Sequence, residues 1–106
     1  MTGIDIHSHP VHLGIGATAV SEPEFTGGID WYEAYIERHL DDGLNGRQVS
    51  LHTFTKSWDT WEMHPSGSDT VLCISGEISL IQQGLSGESM FTHLTSGRCV
   101  INQPGV

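Results

Sequence analysis

The residues of this sequence best suited to chemistry stand close together, in Trp61-Glu62-Met63-His64-Pro65-Ser66-Gly67-Ser68-Asp69. Thr60 to His64 reads as a strand, and β alternation sets Glu62 and His64 on one face with Trp61 and Met63 on the other. Pro65 to Ser68 makes a turn, and Asp69 opens the next strand. Two carboxylates and an imidazole are thus expected to converge from neighbouring strands. Such a set of O and N donors suits a divalent ion, Fe(II), Mn(II) or Zn(II). The same groups could instead satisfy one another as a polar cluster without metal. Even then, paired carboxylates beside a histidine would have displaced pKa values, which is itself a mark of a site.

Even spacing from Asp69 carries Val71 and Cys73 to the same side, as walls of a pocket. His52, alternating with Phe54, is placed on the same lumen. The bland alternatives are a small buried core thiol for Cys73 and an exposed or packed imidazole for His52. Trp31, Trp58 and Trp61 read as core or interface anchors, or as an aromatic wall for a planar ligand. A second constellation, Ile4-Asp5-Ile6-His7-Ser8-His9-Pro10, resembles the first metal motif of amidohydrolases. That family needs a (β/α)8 barrel, which 106 residues cannot build. His7, His9 and His12 are therefore expected on a mobile arm, where they would capture only adventitious metal. Gly14-Ile15-Gly16 lacks the third glycine of a phosphate loop, and no Gly-x-Ser-x-Gly elbow occurs.

The elements that must position these groups are short. Residues 1–27 carry scattered Gly, Pro and His and read as an extended arm with at most one strand. Helical periodicity occurs once, over 30–42. There Asp30 is the expected N-cap and Glu33 completes a capping box. Tyr32, Tyr35, Ile36 and Leu40 form the apolar stripe, and Gly43 is the stop. Arg38 and His39 suit the dipole of the last turn, which Asp41 and Asp42 oppose. After Gly46 strands are expected at 49–54, 60–64, 70–75, 77–82, 89–94 and 99–102. Gly84-Leu85-Ser86-Gly87 is a hairpin turn.

On these residues the sequence resembles the cupin superfamily. Glu62-Met63-His64 occupies the His-x-His slot of the first cupin motif, Asp69 falls where its Glu stands, and Gly76 follows at the right interval. Gly97 and Pro104 match part of the second motif, with one residue too many between them, and the motif's histidine would fall beyond Val106. The resemblance covers 47–106. It implies a cupin-like jelly-roll β-barrel over 28–106, with the short helix at its start and a last strand expected past Val106. It also implies Glu62, His64 and Asp69 as metal ligands, a small organic metabolite as ligand, and a homodimer. A metal-dependent enzyme, a non-catalytic binding or sensor barrel, and a metal-free degenerate cupin are the three functions it leaves open.

Composition bounds the rest. Four Lys+Arg against 13 Asp+Glu give a formal charge of −9, so no nucleic acid or anionic membrane surface is expected as partner. A hydrophobic share of 37% with 13 glycines suits one turn-rich β domain. Cys73 and Cys99 are far apart, without a CxxC pair, and no stretch has the layout of a signal peptide or membrane span. Reduced thiols in a cytoplasmic protein are the expectation.

Overall fold

Gly16 and Ala17 both take positive φ, 77° and 58°, and this reversal folds the chain back between two short strands. A non-glycine residue in that region costs ~1–2 kcal/mol, which the pairing of the flanking strands offsets. The computed structural model describes residues 2–56 and 67–104. Contacts divide the chain into two units, 1–58 and 59–106.

In the first unit β1 (Val11–Gly14) and β2 (Thr18–Ser21) pair antiparallel through that turn, with His12 opposite Val20. β3 (Arg47–Val49) adds to the other edge of β1, with His12 opposite Gln48. Residues 1–27, expected as an extended arm, thus contribute two of the three strands of a sheet. The helix α1 spans Ile29–Arg38. Its N-cap is Gly28, without a side-chain bond, and Asp30 lies in the first turn, so the expected Asp30 cap is not made. Helical structure does continue toward residue 42, but as a 3-10 helix, Leu40–Asn45, kinked at Gly43 where φ is 53°. Trp31 is the buried apolar residue of α1. Its ring stacks on Tyr35 and meets Phe25 edge-on, and its indole N–H donates to the Pro23 carbonyl at 3.3 Å. The strand expected at 49–54 stops at Val49. Beyond it, His52 sets its ring against Phe25 and Phe54 instead of joining a ladder.

In the second unit the alternation of the sequence becomes pairing directly. β4 (Asp69–Leu72) pairs antiparallel with β7 (Cys99–Asn102), Asp69 opposite Asn102. β5 (Glu77–Gln83) pairs with β6 (Ser89–Thr95), and Gly87 at φ 85° together with the Gly84 N–H to Glu88 carbonyl bond closes the hairpin. Ile78 and Leu80 stand opposite Leu94 and Thr92 on the inner side, and Leu94 is the most buried apolar residue among the described residues of this unit. Gln82 shares that side, and its amide is satisfied: it donates to Asn102 Oδ1 at 2.5 Å and accepts from Thr92 Oγ1 at 2.6 Å.

Among the described residues the architecture is predominantly β, in antiparallel sheets of three, two and two strands, none of which closes on itself. Cys73 is buried, Cys99 exposed, and both are free thiols. Among the same residues no helix is long and apolar enough to cross a membrane.

Candidate metal centre

Three elements of the first unit bring their polar side chains to one place. β1 carries His12, the C-cap of α1 is His39, and the 3-10 helix carries Asp42. One ligand atom from each of these residues lies within 4.8 Å of the others, a group that could hold a metal ion. His12 is only 3% exposed, and both its nitrogens are engaged. Nε2 meets Asp42 Oδ2 at 2.5 Å and Nδ1 meets the Tyr35 hydroxyl at 2.5 Å. A neutral ring that donates Nε2–H to the carboxylate leaves Nδ1 as acceptor for the phenol, so one tautomer satisfies all three groups. His39 bonds through Nε2 to the buried Glu22 carboxylate, which lies 3.8 Å from the Arg38 guanidinium. Its Nδ1 lies 4.0 Å from Asp42 Oδ2.

The atoms not aimed at the centre are all tied down. Asp42 Oδ1 accepts the Ile15 backbone N–H at 3.2 Å, Glu22 fixes the His39 ring, and Tyr35 fixes the His12 ring. Metal ligands commonly have this outer support, because it sets tautomer and ring direction. Two metal–ligand bonds of about 2.1 Å at a tetrahedral angle set their ligand atoms ~3.4 Å apart, so His39 Nδ1 and Asp42 Oδ2, at 4.0 Å, close on one ion with a shift of about half an ångström. His12 fits less directly. Its ring stacks on His39 with centroids 3.6 Å apart and 15° between planes, so the in-plane lone pairs run side by side and do not meet. Joining both imidazoles to one ion requires the His12–Asp42 bond to open and one ring to turn.

Electrostatics follow the same contacts. The His12 imidazole, and after it the Ile15 N–H, holds the Asp42 carboxyl below its ordinary value of 3.8. This contribution to stability is present above that value and is lost on acidification below it. Burial, then the negative charges of Glu22 and Asp42, push the Tyr35 phenol up to about 12, against the opposing Arg38. The folded phenol holds its proton more tightly than the unfolded one, so its contribution is whole below pH 10 and is lost as pH rises toward 12. Solvent screening of this partly exposed ring reduces the stake, and urea denaturation is expected to show about 1 kcal/mol lost across that window, a component that a Tyr35→Phe variant is expected to lack. Equal base limbs in the two proteins would remove Tyr35 from the cluster.

The residues singled out in the sequence are placed as follows. Glu62 and His64 lie outside the described residues. Asp69 and Val71 fall on the less exposed side of β4, and Cys73 follows them there, its thiol directed to the carbonyls of Ser75 and Gly76 at 3.4 and 3.6 Å. His52 is exposed and belongs to the other unit. His7, on the exposed side of its segment, contacts Thr53 Oγ1 at 3.2 Å, and His9 bonds the Glu22 carbonyl at 3.0 Å. His12, expected on a mobile arm, is a buried strand residue, because β1 is the central strand of its sheet. His39 and Asp42, read in the sequence as charges acting on a helix dipole, are partners in this cluster. Their spacing of three residues, which stacks side chains on one helical face, was the available signal.

No family model, no curated protein and no solved structure matches this chain.

Proposed function

We propose that this protein binds a divalent transition-metal ion through His12, His39 and Asp42. The observation that carries the reading is the approach of His39 Nδ1 to 4.0 Å from Asp42 Oδ2, with the far side of every ligand held by a neighbour. Two imidazoles and one carboxylate are the donor set of non-haem Fe(II) sites with open positions, and they also suit Zn(II) and Mn(II). Binding through neutral histidine and carboxylate displaces protons, so affinity rises with pH.

A second reading rests on the cupin resemblance. Here the fold is a jelly-roll barrel, the ion sits on Glu62, His64 and Asp69, and a small organic metabolite is bound with or without turnover, in a homodimer. Its support is that a strand begins at Asp69 and that Asp69, Val71 and Cys73 share the less exposed side. Metal analysis of tag-free protein separates the two. About one equivalent of metal is expected, lost in His39→Ala and kept in His64→Ala; the opposite pattern selects the second reading. Less than ~0.1 equivalent after exposure to Fe(II), Zn(II) and Mn(II) overturns both.

A further inference from the structure

The outer face of the β5–β6 hairpin carries a chain of three polar side chains that the metal reading does not use. The Ser79 hydroxyl donates to His93 Nδ1 at 2.8 Å, and His93 Nε2 lies 3.3 Å from Glu77 Oε2. One neutral tautomer serves both contacts. An ionised carboxylate only accepts, so Nε2 carries the proton and Nδ1 offers its lone pair to the serine. We propose that Ser79, His93 and Glu77 form an acyl-transfer triad for small esters with good leaving groups. Ser79 is the nucleophile, His93 the general base, and Glu77 positions the ring.

Register explains why these groups meet. Glu77, Ser79 and Ile81 alternate onto one face of β5, and His93 stands directly opposite Ser79. The Gly84 N–H to Glu88 carbonyl bond fixes the phase of the ladder. Ser79 and His93 are thereby a non-hydrogen-bonded pair, the kind whose side chains approach most closely. In the same phase the Ser79 N–H points away from β6, toward an edge that no other described strand pairs with, and remains as a donor for an oxyanion. Next along the face Phe91 and Ile81 pair across the strands, both exposed, an apolar floor beside Ser79 for an aryl or short acyl group. In the reaction Ser79 Oγ bonds to the ester carbonyl carbon while its proton passes to His93 Nδ1. Collapse breaks the ester C–O bond, and that proton leaves on the alcohol oxygen. Water then attacks the acyl carbon and gives a proton to Nδ1, which returns it to Ser79 Oγ as the carboxylic acid departs. The side chains of His93 and Glu77 are 53% and 71% exposed. Water therefore screens the developing charge, which restricts the site to esters that are already activated.

The test is p-nitrophenyl acetate with the full chain, followed by p-nitrophenolate release and by peptide mapping of the acetylated protein. Ser89 is the internal reference, an exposed serine on the same face whose cross-strand neighbour is Gln83. A burst of p-nitrophenolate is expected, with Ser79 acetylated at least about 100-fold faster than Ser89. Ser79→Ala and His93→Gln are expected to abolish the burst. Glu77→Gln is expected to slow it only about fivefold, because water screens an exposed pair, and to leave the melting temperature unchanged. Equal acetylation of Ser79 and Ser89 overturns the proposal, as does a Ser79 rate unmoved by His93→Gln or acetyl groups confined to amines.

Discussion

Replacing Glu22 by alanine is expected to cost about 2–4 kcal/mol of stability, the range for breaking a buried charged hydrogen bond by removing one partner. The Glu22 side chain is 2% exposed, just past the end of β2, and its carboxylate is the partner of His39 Nε2. Arg38 stands 3.8 Å away but is 36% exposed, so water replaces its lost partner and it adds little to the cost. His39 is the costlier loss, because its ring is only 16% exposed and is held against the His12 and Tyr35 rings, where little water reaches it. Glu22→Gln keeps the volume and an acceptor oxygen and is expected to cost about 1 kcal/mol. The same substitution to alanine frees the His39 ring and is expected to weaken metal binding by roughly 10–100-fold. Urea denaturation at pH 7 gives the first quantity and calorimetric titration with Zn(II) the second. A loss below about 0.5 kcal/mol for Glu22→Ala would mean that the carboxylate is hydrated in the folded protein.

Much of the second unit was legible because its signal is local. The Glu77–Gln83 and Ser89–Thr95 strands alternate cleanly, and the Gly84 to Gly87 turn has the glycine that its positive φ requires. The Cys99–Asn102 strand has the expected bounds, and the strand at Asp69 begins one residue before the one expected and ends three before. The first unit hid more. Its strands are of three and four residues, too short to show a period, and β1 ends in the glycine that opens a turn. The chain after Val49 alternates like a strand, yet the rings of His52 and Phe54 are used in an aromatic contact with Phe25 that no local pattern announces.

The cluster itself was illegible for a related reason. Its partners are 17 and 30 residues apart for the pairs Glu22–His39 and His12–Asp42, and each has a sufficient local explanation. A histidine and an aspartate just past a helix look like charges near a dipole. A histidine among glycines and prolines looks like part of a tail. Only the placement of β1 in the middle of its sheet turns His12 inward, and that placement depends on two pairings that the sequence does not advertise. The densest set of ligand-type residues in the sequence, Glu62 and His64 with Asp69, is a different one. Density along the chain therefore shows only those sites whose ligands share a strand or a turn.

His12→Ala is expected to show the largest combined effect, about 2–4 kcal/mol of stability and at least a 100-fold loss of metal affinity. Three contacts disappear at once: the bonds to Asp42 Oδ2 and the Tyr35 hydroxyl, and the stack on His39. The cavity left behind is lined by polar groups that need partners, so the cost combines lost packing with two unsatisfied atoms. Water can enter and reduce that cost, which places the expectation below the sum of the separate contributions. Free imidazole distinguishes a specific pocket from a general loosening of the sheet. It has the shape and both nitrogens of the deleted ring, and is expected to raise the melting temperature of His12→Ala while leaving that of Glu22→Ala unchanged. The rescue is mass-action linkage, so it must grow with the logarithm of imidazole concentration once the pocket is mostly filled. Restored Zn(II) binding alongside the restored stability would assign His12 both roles, as ligand and as structural partner. Restored stability without restored Zn(II) binding would make it a structural residue, and the rings would then keep their stacked arrangement as their working state.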